Sequence, residues 1–253
     1  MYKAFNLKLS LDSFTGWRHI GLNKKFRDET IVRSELKKFA DDEGTLSADK
    51  IATEWFPAIK ADVFISHSHA DREVALGLAG WLQSTFDLNV FIDSNVWGYA
   101  GELQRIIDDE YCWNPGNATY SYEKRNKTTS HVNIILSTAL GKMIDATECI
   151  IFLNTPNSVS CSGYITDEAT ESPWIFSEIS MTRYMRSRLP RQRRILRKAE
   201  ASNEEFVESV NIKYDLTLDH LTNIDNGLLD KWEKSNFLNG TSSLDALYDL
   251  TGQ

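Results

Sequence analysis

The sequence predicts an α/β fold, a parallel sheet with helices on both faces, and three apolar runs of strand length carry that prediction. They are "ADVFIS" (61–66), "LNVFIDS" (88–94) and "CIIFLNT" (149–155), each preceded by helical sequence. Strands that are apolar throughout, rather than at alternate positions, are buried on both faces, which is how parallel sheets are built. At 253 residues and 42% hydrophobic content the chain is long enough to bury a full core.

The elements follow in order. "GTLSADKIATEWFPAIK" offers Ser47 as the N-cap of a short helix that Pro57 ends. The first apolar run comes next, then "HSHAD", a loop that contacts ligand or caps the following helix through Asp71. In that helix, "REVALGLAGWLQSTF", Val74, Leu78, Trp81 and Leu82 share one face at the spacing of three, four and seven that a helix requires. Ligands of parallel sheets bind beyond the carboxyl ends of the strands, so the loops to read are 66–71, 93–101 and 154–173. The last of these leads into "SPWIFSEI" (172–179), with Ser172 as N-cap and Pro173 at the first helical position. Trp174 and Glu178 then lie four apart, on one helix face. "VNIKYDLTL" (210–218) is the best candidate for a further strand of the sheet.

Composition narrows the function. A net charge of −8 argues against a general nucleic-acid or anionic-membrane binder, whose targets are themselves negative. Eight basic and no acidic residues between Ile179 and Lys198 read as a solvated helical face with a turn at Pro190. The three cysteines, Cys112, Cys149 and Cys161, form no CxxC pair, which suits a reducing compartment. No apolar run approaches the length of a membrane span, and "MYKAFNLKLSLDSF" lacks a secretory h-region. The expectation is a cytoplasmic protein with no membrane or nucleic-acid partner. His67 and His69 find no matching third ligand, so no metal is expected.

In order along the chain, "DVFISHSHAD", "VFIDSNVWGYAGEL", "ALGKMIDATECIIFLNT" and "SPWIFSEI" resemble the Toll/interleukin-1 receptor (TIR) domain, particularly its bacterial members. The resemblance covers roughly residues 61–188 and implies a flavodoxin-like parallel sheet with N- and C-terminal elaborations. Residues 1–60 are then an N-terminal extension packing on the core. An insertion near 111–130 departs from the family pattern, and residues 189–253 supply strand and helix elements completing the domain. Phe64, Ile65 and Ser66 match the end of the family's first strand and Asp93 the acidic end of the second. The BB loop runs from there to Gly101. Many NAD-cleaving relatives carry an arginine shortly after the first strand, where this chain has Ser66, His67, Ser68 and His69.

Trp174 and Glu178 match the family's Trp-x-x-x-Glu, whose glutamate is catalytic in members that cleave NAD. The resemblance therefore implies a TIR-domain NAD glycohydrolase or cyclase in bacterial antiviral defence of the Thoeris-like type. It would deplete NAD or make an ADP-ribose-type signal for a downstream effector, with NAD as substrate and no cofactor. The candidate catalytic residue is Glu178, and the candidate substrate-binding residues are Ser66, His67, His69, Asp93, Trp97, Tyr99 and Trp174. Trp97 and Tyr99, in the BB loop, could stack on a flat base or anchor self-association with this or other TIR domains. A turn aromatic, a strand-end cap at Asp93, a core indole at Trp174 and a solvated Glu178 are the structural readings of the same residues. A catalytically silent interaction module is the alternative function. A nucleoside-processing enzyme, which also sets a carboxylate against an anomeric carbon, is a more distant one.

Overall fold

The three apolar runs form strands buried on both faces, as their β-branched and aromatic residues favour. A computed structural model describes residues 2–9, 14–23, 36–40, 45–92, 94–161, 168–185, 214–235 and 238–252. Strand β1 (Lys3–Lys8) leads to a short helix α1 (Arg18–Asn23), and α2 (Ala48–Trp55) precedes β2 (Val63–Ser66). Helix α3 (Arg72–Phe86), β3 (Val90–Ile92) and α4 (Ser94–Tyr111) follow. A hairpin of β4 (Trp113–Asn114) and β5 (Thr119–Tyr120) joins α4 to the long α5 (Tyr122–Ala146), which leads to β6 (Cys149–Leu153). Then come β7 (Ser160–Cys161), β8 (Glu168–Thr170), α6 (Pro173–Tyr184), β9 (Tyr214–Asp215), β10 (Thr222–Asp225), α7 (Asn226–Ser235) and α8 (Ser242–Leu250).

The central sheet has five strands in the order β10-β1-β6-β2-β3, and every neighbouring pair is parallel. Counted from β2, the run β3-β2-β6 has the second-first-third order of a flavodoxin-like sheet. The fourth place is taken by β1 from the N-terminal end and the fifth by β10. Residues 1–60 therefore do more than pack on the core, because they supply an interior strand. Its residues Ala4 to Leu7 are all buried. Of "VNIKYDLTL", residues 210–213 lie outside the described residues, and Tyr214–Asp215 pairs antiparallel with β8 in a small separate sheet. The expected central strand there is instead β10, seven residues further on. β10 lies at the sheet edge, so burial asks for an apolar side chain only at Ile224, and three polar residues surround it.

Side-chain alternation along the strands divides the core into two layers. One face carries Phe5, Leu7, Val63, Ile65, Ile151 and Leu153 against Leu78, Leu82 and Phe86 of α3 and Trp232, Leu244 and Leu247 of α7 and α8. The other carries Phe64, Phe91, Ile150 and Phe152 against α5 and α6, through Leu140, Met143, Ile144, Ile175 and Ile179. A third cluster joins α2, α4 and α5 around Trp55 and Leu136. Burying each of these large side chains contributes about 1.5–3 kcal/mol. The predicted caps of α2 and α6 are present: Ser47 accepts from the Lys50 amide and Ser172 from the Ile175 amide.

The segment leading into α1 lies so close to α3 that two glycines of α3 are obligatory. A Cβ on Gly77 would meet the Phe14 carbonyl oxygen at 2.5 Å, and one on Gly80 would meet the Trp17 carbonyl oxygen at 2.1 Å. Both contacts are with backbone, which has no side chain to swing aside. Gly80→Ala should destabilise the protein by about 1–3 kcal/mol, read as a lower urea midpoint with an unchanged slope.

The residues expected as an insertion, 111–130, form the hairpin and the first turns of α5, and a buried carboxylate ties them down. Asp108, 4% exposed, accepts from Thr128 Oγ1 at 2.6 Å, Gln104 Nε2 at 2.9 Å, Arg125 Nε at 3.0 Å and the Cys112 thiol at 3.5 Å. Tyr120 donates to Asp109 beside it. Burial pushes the Asp108 pKa up, but the hydrogen bonds from Thr128, Gln104, Arg125 and Cys112 outweigh it and hold the carboxyl below its ordinary value. A carboxylate with a depressed folded pKa stabilises the fold above its unfolded pKa, and that contribution fades as pH falls through the folded value. Asp108→Asn, which sets an amide donor among these donors, should lower the melting temperature by several degrees at neutral pH. The gap to wild type should close as pH falls below about 4.

Candidate functional site

The chain leaves the carboxyl ends of β2 and β6 in opposite directions. From β2 it passes through α3, on one face, to β3. From β6 it passes through α6, on the other face, to β9 and β10. Adjacent parallel strands whose connections diverge in this way flank a crevice, the usual ligand position in open α/β sheets. Ser66 ends β2 level with Phe152 of β6. It shares a face with Phe64, so it points toward α5 and α6 rather than toward α3.

Glu178 meets Ser66 there. Pro173 and the Ser172 cap fix where α6 begins, and Ile175, Glu178, Ile179 and Thr182 form its buried stripe. The Ser66 hydroxyl donates to Glu178 Oε2 at 2.5 Å. Ser66 is 0% and Glu178 1% exposed. Four residues on, Thr182 Oγ1 donates to the Ile179 carbonyl at 2.7 Å and so accepts from His220 Nε2 at 2.9 Å. Arg183 grips Asp219 with two bonds of 2.7 and 2.9 Å, and Phe176 stacks on Tyr214. The far half of α6 is thus tied to the segment before β10. Burial, followed by the charge of Arg183, lowers the pKa of His220.

A second polar bridge spans the same crevice. Asp71, 2% exposed, accepts from the Thr155 hydroxyl and from Asn157 Nδ2 at 2.7 Å, so the start of α3 is joined to the loop after β6. Ser158 braces that loop by accepting from the Thr155 amide at 2.9 Å and donating to the Leu153 carbonyl at 2.8 Å. The expected capping role of Asp71 is corrected: its side chain makes no cap bond to α3, and Ser68 caps the preceding turn by accepting from the Ala70 amide. Beyond β6, Asn6 Nδ2 donates to Asn223 Oδ1 at 2.8 Å. Asn6 Oδ1 and Asn154 Nδ2 are buried with no partner among the described residues.

The residues singled out from sequence divide into separate groups. Ser66 and Glu178 come together, and His67 lies buried beside them in sequence at the head of the turn. His69 is exposed in that turn. Trp174 is half-buried against the third apolar cluster, of α2, α4 and α5. It therefore packs among helices and not on the sheet. Asp93 lies outside the described residues, as do the side chains of Trp97 and Tyr99. The segment expected as the BB loop is helical from Ser94, and Trp97 and Tyr99 belong to the first turns of α4. A helix start there lets the backbone satisfy its own hydrogen bonds where a loop would leave them to solvent or side chains. Residues 186–198 of the basic stretch are outside the described residues.

Sequence reasoning did not find Thr155, Asn157, Ser158, Asn6 or Asn154. The first three follow β6 in the loop already marked for ligands, where "NTPNS" is a cluster of small polar turn residues and the only available signal.

Chemically, the crevice offers a carboxylate held by a hydroxyl in surroundings with little water, where charge interactions are strong. At 1% exposure, Glu178 is reached by a ligand only when the elements around it move. Asp71→Ala should strip two donors of their acceptor and cost about 2–4 kcal/mol. Amide hydrogen exchange should then rise over 154–159 more than in β6 itself. Comparison of the chain with protein-family models, curated proteins and solved structures returns no match.

Proposed function

We propose that this chain is a TIR-type NAD glycohydrolase or cyclase in which Glu178 is the catalytic carboxylate. One observation carries the reading: a glutamate, held by the Ser66 hydroxyl at 2.5 Å, stands at the carboxyl end of β2 where the connections of the parallel sheet diverge. The order of the four motifs and the β3-β2-β6 arrangement support it as well.

The chemistry suits a lone carboxylate. In NAD the nicotinamide is a cationic pyridinium. When the bond between its nitrogen and the ribose C1′ breaks, the electron pair stays with the nitrogen and a neutral ring departs. Positive charge develops on the ribose, as in glycoside hydrolysis, but no second carboxyl group is needed to protonate the leaving group. Glu178 offsets that charge at a fixed position. Water, giving up a proton, completes hydrolysis to ADP-ribose. A nucleophile within the same molecule completes cyclisation instead.

On this reading the protein acts in the cytoplasm in bacterial defence, by NAD depletion or through a nucleotide signal read by an effector. The proposal includes self-association or contact with other TIR domains, which would move the elements around Glu178. None of the described helices is long and apolar enough to cross a membrane. The 1% exposure of Glu178 favours a second reading, a silent interaction module in which the carboxylate only joins α6 to β2.

Incubation of concentrated protein with NAD, with and without infected-cell lysate, separates the two when nicotinamide and ADP-ribose species are resolved by mass. Glu178→Gln keeps a carbonyl acceptor for Ser66 and removes the charge. It should retain the fold and lower NAD cleavage by about a hundredfold or more. Cleavage at wild-type rate in a folded variant rejects the catalytic assignment, and absence of cleavage in the wild type under both conditions favours the module.

A further inference from the structure

We propose that Ser66 is the positioning residue of Glu178, a hydroxyl that fixes the plane of the carboxylate and holds it as an anion at the carboxyl end of β2. The inference rests on Glu178 being the reacting carboxylate.

The last torsion of a glutamate is broad, so a carboxylate on a helix does not by itself present an oxygen in one direction. A hydrogen bond to one oxygen removes that freedom. Here the bond is 2.5 Å, short for a hydroxyl on a carboxylate oxygen, with Ser66 as the donor. The serine sits on a rigid base, since β2 is paired with β3 on one edge and β6 on the other.

Its position is also chemically unusual. Val63, Phe64 and Ile65 before it are apolar and fully buried, and Ser66 is equally buried. An apolar residue would fit that strand end without the cost of burying a hydroxyl, which its bond to Glu178 offsets. With its one hydroxyl proton given to Glu178 Oε2, Ser66 acts through the carboxylate and not on the substrate.

The test compares wild type with Ser66→Ala, Ser66→Thr and Ser66→Cys in NAD turnover. It also follows ionisation of Glu178 by carbon NMR of labelled glutamate, with the signal assigned from Glu178→Gln. Ser66→Ala should lower kcat about ten- to a hundredfold with KM little changed. Its Glu178 should ionise at higher pH than in wild type, because a donor to the anion is gone. Ser66→Thr keeps the hydroxyl and should restore both properties. Ser66→Cys, a near-isostere with a weaker donor, should fall between. Equal kcat in wild type and Ser66→Ala, or an unmoved ionisation, overturns the inference. If wild type itself cleaves no NAD, the proposed reaction fails, and the ionisation alone decides whether Ser66 holds the carboxylate.

Discussion

Strand β6 is bonded along both edges and covered on both faces. Its backbone pairs with β1 on one side and β2 on the other, and all five of its side chains are buried. That double pairing joins the two halves of the sheet, one made by β2 and β3 and the other by β1 and β10. It requires an apolar strand with no interruption, which "CIIFL" supplies. The crevice exists because β6 and its neighbour β2 send their connections in opposite directions. Ser66, Asp71 and Thr155 lie within a few residues of the carboxyl ends of β2 and β6, and Glu178 reaches Ser66 from α6.

The polar groups near that end are the costly part of the design. A sheet buried on both faces leaves little water to solvate a carboxylate, so each must be met by hydrogen bonds. Asp71 and Glu178 are both met, but by different means and with different consequences. Asp71 is held by Thr155 and Asn157 of one loop and fastens two loops to each other. Glu178 accepts a short bond from a strand residue, Ser66, and the helix that carries it is secured separately by Thr182, Arg183 and Phe176. The first arrangement stiffens the rim of the crevice. The second places one charge within it.

The outer helices are organised by a different principle. Helix α1 reaches α3 through backbone-to-glycine contacts, whereas α4 and the start of α5 are joined by the Asp108 network. The segment between α4 and α5 is thus a clamped hairpin with Trp113 and Tyr120 edge to face. It is built outward from the third apolar cluster and leaves the central sheet undisturbed.

Three central strands, the caps at Ser47 and Ser172 and the placing of Trp174 and Glu178 on one face of a helix were legible in the sequence. Each depends on neighbours within one or two turns of chain, through period, capping chemistry or an unbroken apolar run. β1 and β10 were not legible, since Asn6, Asn223 and the flanking lysines of β1 break the apolar pattern, and only pairing across the chain makes "KAFNLK" an interior strand. The start of α4 was read as a loop because the resemblance puts the BB loop there, and Gly98 and Gly101, poor helix formers, raised no local objection. The sequence alone therefore determined the α/β class, the burial of the three apolar strands and the candidate carboxylate. Tertiary structure decided the strand order, the bond between Ser66 and Glu178 and the latch from Asp71 to Thr155. These join residues dozens to more than a hundred positions apart, and no local periodicity records which distant partner a side chain meets.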